Sequence, residues 1–353
     1  MKKYYVIVLL AVTFSCKEVF FETEPSNDPE TNFELFWTDF NERYSLFGVR
    51  GWDWDSIYAV YRPQVNPNTT NQELWVMCKA MIAYLDDSHT FIFSRDEKYM
   101  IDGEEEYFFA SGSETHDQTE REFSIDLIRD AYLEDLRDLS FDTDIYLSGK
   151  ISGENIGYIY FDAVDVEDDR YMDLLLEGLE DSDALIIDIR QNGGGNDIVA
   201  AEFASRFSDN TSLTFTVEEK AGPGPNDFSP KIPFHAPPPR GRHYTKPIVV
   251  LTDNFTVSGA EIFLWYMKSY DHVTQIGTST SGDFSDTSMR RFLPNGWQYQ
   301  YSIMKYLSPD GQSLDGLGHR PDIEIRNSEA DIAAGKDVVL ERAMQYLEEE
   351  LGI

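Results

Sequence analysis

Cysteine is almost missing from this chain, with two among 353 residues. Two thiols cannot form a disulfide framework, and neither stands in a zinc-ligand spacing, so both designs are excluded. Basic side chains are scarce too: Lys and Arg total 29 against 64 Asp and Glu, a formal charge of −35. With no basic stripe to neutralise phosphates, a nucleic-acid partner is excluded. No apolar run reaches the roughly 20 residues that a membrane-spanning helix needs. Internal repeats are absent. So are the Walker lysine and the G-x-G-x-x-G spacing, which removes the usual phosphate loops. What is present is a hydrophobic content of 41%, enough for a sizeable core under a strongly acidic surface.

The N-terminus has the layout of an export signal. Lys2-Lys3 precede the apolar run Tyr4–Phe14, and Ser15-Cys16 follow. A cysteine there resembles a bacterial lipoprotein signal, although Thr13 stands where leucine is usual. Residues 1–16 are therefore expected to be a signal peptide ending at a lipobox-like Cys16, the lipidation site. An ordinary signal peptide with an incidental cysteine is the plainer alternative. Residues 17–30, rich in Glu, Pro, Asn and Thr, read as a tether. The expected location is exported and lipid-anchored in the bacterial cell envelope, with the membrane met only through that anchor. Cys78 shares helical spacing with Leu74, Met81, Ile82 and Leu85, which marks it as a core residue.

Residues 31–95 read as a helical N-terminal subdomain, with a stripe of Phe33, Phe36, Trp37 and Phe40 and a second from Glu73 to Leu85. A break at Asp86–Thr90 precedes a strand at Phe91–Phe93. Residues 96–150 form an acidic connecting region, with a helical pattern around Ile125–Leu139. From 151 to 353, strands at Gly157–Phe161, Ala184–Asp188 and Pro247–Leu251 alternate with helices at Tyr171–Leu179, Asp197–Phe207 and Gly259–Met267. That alternation predicts an α/β fold with βαβ units and a largely parallel sheet. Shorter strands are expected near Val273–Ile276, Arg290–Leu293 and Gln298–Ile303. The proline-rich stretch 220–246 reads as a long loop.

Two motifs carry chemistry. Ser258 follows a buried strand and opens a helix, where unpaired backbone N–H groups face an incoming anion. An acyl-transfer nucleophile needs such a hydroxyl beside oxyanion donors. Ser258-x-x-Glu261 also fits a capping box, in which the serine merely starts the helix. The second motif, Asp188-Ile-Arg-Gln-Asn-Gly-Gly-Gly-Asn196, leaves backbone bare after a buried strand; a plain tight turn is the alternative.

Together with the closing stretch Tyr306–Asp322, these segments resemble the tail-specific, or C-terminal processing, serine protease family. Its pattern is D-x-R-x-N-x-G-G, then S-x-x-E-I-F, then a final Pro/Gly-rich block, here in family order across roughly residues 155–325. The resemblance implies a helical N-terminal subdomain plus a βαβ core like that of the tail-specific proteases (ClpP/crotonase-like), with Ser258 as nucleophile and a polypeptide as substrate. The serine–lysine branch has its lysine where this chain has Asp283, in Gly277-Thr-Ser-Thr-Ser-Gly-Asp283, and its glutamine where this chain has Thr287. A carboxylate cannot replace that amine as base. Neither Lys268 nor Lys305 falls on the motif.

The tricorn-like branch instead takes a histidine from an N-terminal Ser-His pair and an acid from the closing stretch. Ser88-His89 matches the pair, and Asp315 falls at the acidic position. The implied site is then Ser258, His89 as general base, and Asp315 with Ser88 fixing the imidazole. Oxyanion donors are expected from Gly259 and from Gly193 or Gly194. His89 could alternatively terminate the preceding helix, and Asp315 could be a turn residue. His319 is a backup base, His235 a weaker one, and His116 and His272 read as solvated. No metal and no cofactor are expected, and a complete PDZ module is not expected in 96–150. The oligomeric state is left open. An inactive relative binding peptides or lipophiles is the alternative to a serine endopeptidase.

Overall fold

The computed structural model describes residues 25–94, 106–110, 122–166 and 170–352. The leader, Cys16 and His116 lie outside them. Among the described residues, no helix is long and apolar enough to cross a membrane.

The N-terminal helices form where their caps and stripes dictate. Asp28 accepts the Thr31 N–H at 2.9 Å and Pro29 occupies the first turn, so Pro29–Arg43 starts cleanly. Its stripe of Phe33, Phe36 and Phe40 is fully buried. Thr70 and Glu73 form a capping box that opens Asn71–Ala83, which buries Leu74, Cys78, Met81 and Ile82. Cys78 is thus the core residue its spacing predicts, and burial pushes its thiol pKa up. Each such side chain contributes about 1.5–3 kcal/mol on burial. This layer is closed by a sheet of order β11-β12-β1-β2. Its members are β1 (Phe91–Ser94), β2 (Glu106–Phe109), β11 (Arg291–Phe292) and β12 (Gln298–Gln300). Two of those strands therefore come from the C-terminal half. Trp297 meets Trp75 edge-on, and Tyr299 packs on Phe36 and Phe40.

The seven-stranded sheet has the order β14-β10-β9-β6-β5-β4-β3. It comprises β3 (Leu133–Asp138), β4 (Tyr146–Ile151), β5 (Ile156–Phe161), β6 (Ala184–Asp188), β9 (Ile248–Thr252), β10 (Val273–Gly277) and β14 (Ile323–Glu324). From β5 to β14 all pairings are parallel, while β3 and β4 add an antiparallel edge. Every residue of β5, β6 and β9 is buried, as expected for strands covered on both faces. A third, antiparallel sheet orders β13-β7-β8, from β7 (Leu213–Glu219), β8 (Ile232–His235) and β13 (Met304–Leu307).

Three expectations are corrected. The helix around 125–139 ends at Ala131, and Leu133–Asp138 is an edge strand instead. A bulge between Glu134 and Arg137, with Asp135 at φ 53°, breaks the alternation that would have revealed it. The boundary at 150–151 cuts through β4, so the acidic connecting region supplies the edge of the core sheet. The proline-rich stretch contains β8, whose Pro233 is tolerated because the strand lies at an edge.

Candidate active site

The serine is positioned from below by helix Gly259–Met267, in which all nine residues are buried. Such an all-round apolar helix belongs at the centre of a core. Ser258, immediately before it, has φ 56° and ψ −123°, a conformation costly for any residue with a Cβ. The backbone is held there by Glu261, whose Oε2 accepts the Ser258 N–H at 3.1 Å. Glu261 N–H donates to the Ser258 carbonyl at 2.8 Å, so residue 261 braces the serine through both backbone and side chain. Gly194 lies against the serine; a Cβ on it would stand 2.7 Å from Ser258 Cβ.

Glu261 does more than brace the serine. Its carboxylate also accepts from Thr280 Oγ1 (2.6 Å), Gly282 N (2.8 Å) and Asp283 N (2.9 Å). Four donors on one buried acid suit the ionised form, whereas burial pushes its pKa up to about 8. Either way, it ties the serine turn to the loop carrying Asp283.

The glycine motif is mostly scaffold. Arg190, Asp188 and Asp337 form a buried ion triad at 2.6 and 3.0 Å. Asn192 donates to the Phe161 carbonyl, accepts Gly194 N–H at 2.9 Å, and takes Val257 N–H on its carbonyl at 3.0 Å. Gly193 N–H donates to the Asp162 carbonyl at 3.0 Å. The expected oxyanion donors Gly193 and Gly194 are therefore committed to other acceptors. Gly259 N–H, in the first turn of its helix, and Gly195 N–H have no acceptor among the described residues. A Cβ on Gly259 would stand 2.9 Å from Gly195 N, so the two amides are neighbours.

The candidate base arrives from the N-terminal subdomain. His89 Nε2 lies 3.2 Å from Ser258 Oγ, across 169 positions of sequence. The His89 N–H donates to Asp87 Oδ1 at 3.0 Å, and Thr90 Oγ1 donates to Asp87 Oδ2 at 2.8 Å, which fixes the loop. His89 Nδ1 is buried with no hydrogen-bond partner. Asp315 does not reach the ring. It pairs with Arg50, at 2.6 Å from Nη2 and 2.7 Å from Nε. Ser88 Oγ donates to Asp283 Oδ2 at 2.7 Å, not to Asp315. The expected Asp315–Ser88 link is replaced because Arg50 stands between, its Nη2 contacting Asp315 at 2.6 Å and Asp283 at 3.0 Å.

One cation among several acids sorts their protonation. Burial pushes the Asp283 carboxyl up, but Arg50, Ser88, His89 and Ser281 together bring it below the usual carboxylate range. For Asp315 burial prevails over Arg50, with Asp87 and Asp283 adding repulsion, and its pKa rises to about 7. Asp197, at the start of the helix after the glycine loop, accepts from Tyr306 OH at 2.8 Å; burial raises it to about 6.

The remaining candidates are elsewhere. His319 is buried against Trp265 and Phe284, bonded to the Glu261 carbonyl at 3.0 Å, and burial pushes its pKa down to about 3. His235 is exposed beside the Thr211 carbonyl, and His272 pairs with Asp209. Lys268 bonds Gln275 and the Arg320 carbonyl, and Lys305 pairs with Glu218. Asp87, His89 and Asp283 present ligand atoms within 4.8 Å of one another, the candidate metal set among the described residues. Their carboxylate oxygens already accept from Thr90, the His89 N–H, Ser88, Ser281 and Arg50. A cleft of about 840 Å³ opens beside this loop, lined by Arg50, Trp52, Leu85, Phe228, Lys305 and Leu317 among others.

Residues 155–325 match the description Peptidase family S41, and residues 25–83 match the Tricorn protease C1 domain. A "Probable CtpA-like serine protease" of Staphylococcus epidermidis is 28% identical over 141 residues. That match covers 40% of this chain and 27% of the relative, about a quarter of its length. A crystal structure from Parabacteroides merdae superposes with a TM-score of 0.79 at 25% identity, covering 91% of this chain and 97% of that one. Mature CPAF shares the fold at a TM-score of 0.65 and 10% identity, over 88% of this chain and 95% of its own.

Proposed function

Because the chain belongs to peptidase family S41, we propose that it is a serine endopeptidase working through a Ser258–His89 pair. The observation that carries this is the 3.2 Å approach of His89 Nε2 to the Ser258 hydroxyl. Ser258 Oγ attacks the peptide carbonyl carbon while its proton passes to Nε2. The carbonyl electrons collect on an oxyanion facing the N–H groups of Gly259 and Gly195. Collapse breaks the C–N bond, and the leaving amine takes the proton from His89. Water then repeats the sequence on the acyl-enzyme, regenerating the serine and releasing the new carboxyl end. No lysine is required, which agrees with Lys268 and Lys305 being bound elsewhere.

A serine-directed fluorophosphonate should label the folded protein and lose its target in Ser258→Ala. In His89→Ala the labelling rate, and turnover of an unfolded polypeptide, should fall by roughly 10³-fold or more. A folded wild-type chain that is neither labelled nor active would overturn the proposal in favour of a binding role.

Export and anchoring follow from the leader-like sequence. We propose that Cys16 carries lipid and holds the protein in the cell envelope. In the native host, palmitate incorporation should be lost in Cys16→Ala; incorporation unchanged by that substitution would remove the anchor from the proposal.

A further inference from the structure

The acid expected to serve His89 is not the acid the fold delivers. Asp315 points into the Arg50 guanidinium, while Asp283 stands at the position of the serine–lysine branch's base. Asp283 Oδ2 accepts the hydroxyls of Ser88 and Ser281, both at 2.7 Å. Its Oδ1 accepts Arg50 Nη2 at 3.0 Å. Arg50 is itself clamped, with Nη1 donating to the Leu85 carbonyl at 3.3 Å, and its side chain is only 6% exposed. It thereby touches the start of the turn 85–89 directly and reaches its far end through Asp283 and Ser88. Through Glu261, the Asp283 loop also feels the serine turn.

We propose that Asp283, held by Arg50 and coupled through Ser88, is the positioning residue for His89, and that Asp315 serves only as the second counter-ion of Arg50. This rests on the Ser258–His89 reading. A carboxylate within 4.8 Å of the ring favours the imidazolium formed as serine gives up its proton. Ser88 fixes the direction from which that charge acts. The position that lost a base has thus been reused as the base's partner. Arg50 keeps Asp283 ionised despite its burial, a task a lysine would do less well because one fork must reach two acids.

The groups facing the ring are Asp87 on its own loop, Asp283 on the core loop and Asp197 beyond the glycine motif, with Arg50, Asp315 and Tyr44 behind. The test is the titration of the His89 ring, read by NMR in the full chain carrying Ser258→Ala and, in the active protein, from the acid limb of kcat/KM. Adding Asp283→Asn should lower the His89 midpoint by about one pH unit. In the active background it should cut kcat by roughly 10–100-fold with KM changed less than about twofold. Asp315→Asn should move the midpoint by less than half as much. Arg50→Lys should hold the midpoint closer to wild type than Arg50→Gln does.

A midpoint unmoved by Asp283→Asn, or moved further by Asp315→Asn, overturns the assignment. Should Asp283→Asn not fold, Ser88→Ala decides: a kcat loss of about tenfold at constant KM supports the relay, and unchanged kcat rejects it. Because the NMR titration needs no turnover, an inert wild-type protein would defeat the peptidase reading while leaving this assignment to stand or fall by itself.

Discussion

The two walls of the site are built in opposite ways. The serine wall is local: Ser258, Gly259 and Glu261 lie within four positions, seated on one buried helix at the end of one buried strand. The histidine wall is assembled from afar, with Arg50, Ser88, His89, Asp283 and Asp315 drawn from four separate parts of the chain. One wall is held by backbone amides on a single carboxylate, the other by one cation shared between two acids. A local wall keeps its geometry whenever its helix forms. A wall pieced together from distant segments depends on the N-terminal helices docking against the core. Activity can therefore be lost from the second wall while the first remains intact.

Breaking the strut between the walls should have the largest effect. Glu261→Ala strands four donors, those of Ser258, Thr280, Gly282 and Asp283, the last three of them buried. Each lost partner costs on the order of 1 kcal/mol or more, so a stability loss of about 3–5 kcal/mol is expected in denaturant unfolding. Fluorophosphonate labelling should fall with it even at temperatures where the variant stays folded. A change below about 1 kcal/mol would mean that water replaces the carboxylate and that the strut is not structural.

That contrast also explains what could be read in advance. Ser258, the glycine motif and the βαβ alternation were legible because each is written in consecutive residues: an apolar run, a turn, a capped helix. His89 is marked only by the family resemblance, since nothing local separates it from a helix-ending residue. Asp283 stands out in the sequence only as a missing lysine, with nothing to mark it as an acid beside an imidazole. Arg50, in the short helix Phe47–Arg50, has no periodicity or motif to mark it. Its importance comes from three docked segments, and docking has no sequence period. The proposed oxyanion donor is Gly195, not Gly193 or Gly194, for a similar reason. Three adjacent glycines look alike until Asp162 and Asn192 claim the first two amides.

A middle-sized effect tests the shared cation through pH. The Asp315 carboxyl rises from the ordinary value near 4 to about 7 in the folded protein, chiefly through burial. Between those values the native state binds the proton that the unfolded chain has lost, so this group's contribution to stability falls as pH rises from about 4 to 7. Asp283 works the other way: its lowered folded pKa contributes stability above the ordinary carboxylate value, lost as pH falls through the folded one. Calorimetric Tm values across pH 4–8 should therefore decline less steeply in Asp315→Asn than in wild type. A slope unaltered by the substitution would mean that Arg50 satisfies Asp315 fully, and that the two acids are less unequal than their surroundings imply.

The smallest expected effect isolates the strain stored on the serine wall. Ser258→Ala and Ser258→Gly both remove the hydroxyl and both abolish labelling, so they differ in the Cβ alone. At φ 56° and ψ −123° a Cβ is disfavoured, whereas glycine adopts such angles freely. Glycine also gains flexibility in the unfolded chain, which offsets part of the relief. The net expectation is that Ser258→Gly is more stable than Ser258→Ala by about 1 kcal/mol, seen as a higher denaturant midpoint with an unchanged m value. If alanine were equal or better, the turn would be held by packing against Gly194 and not against a backbone preference. The helix start would then be a site of contact only, with no strain for the Glu261 strut to oppose.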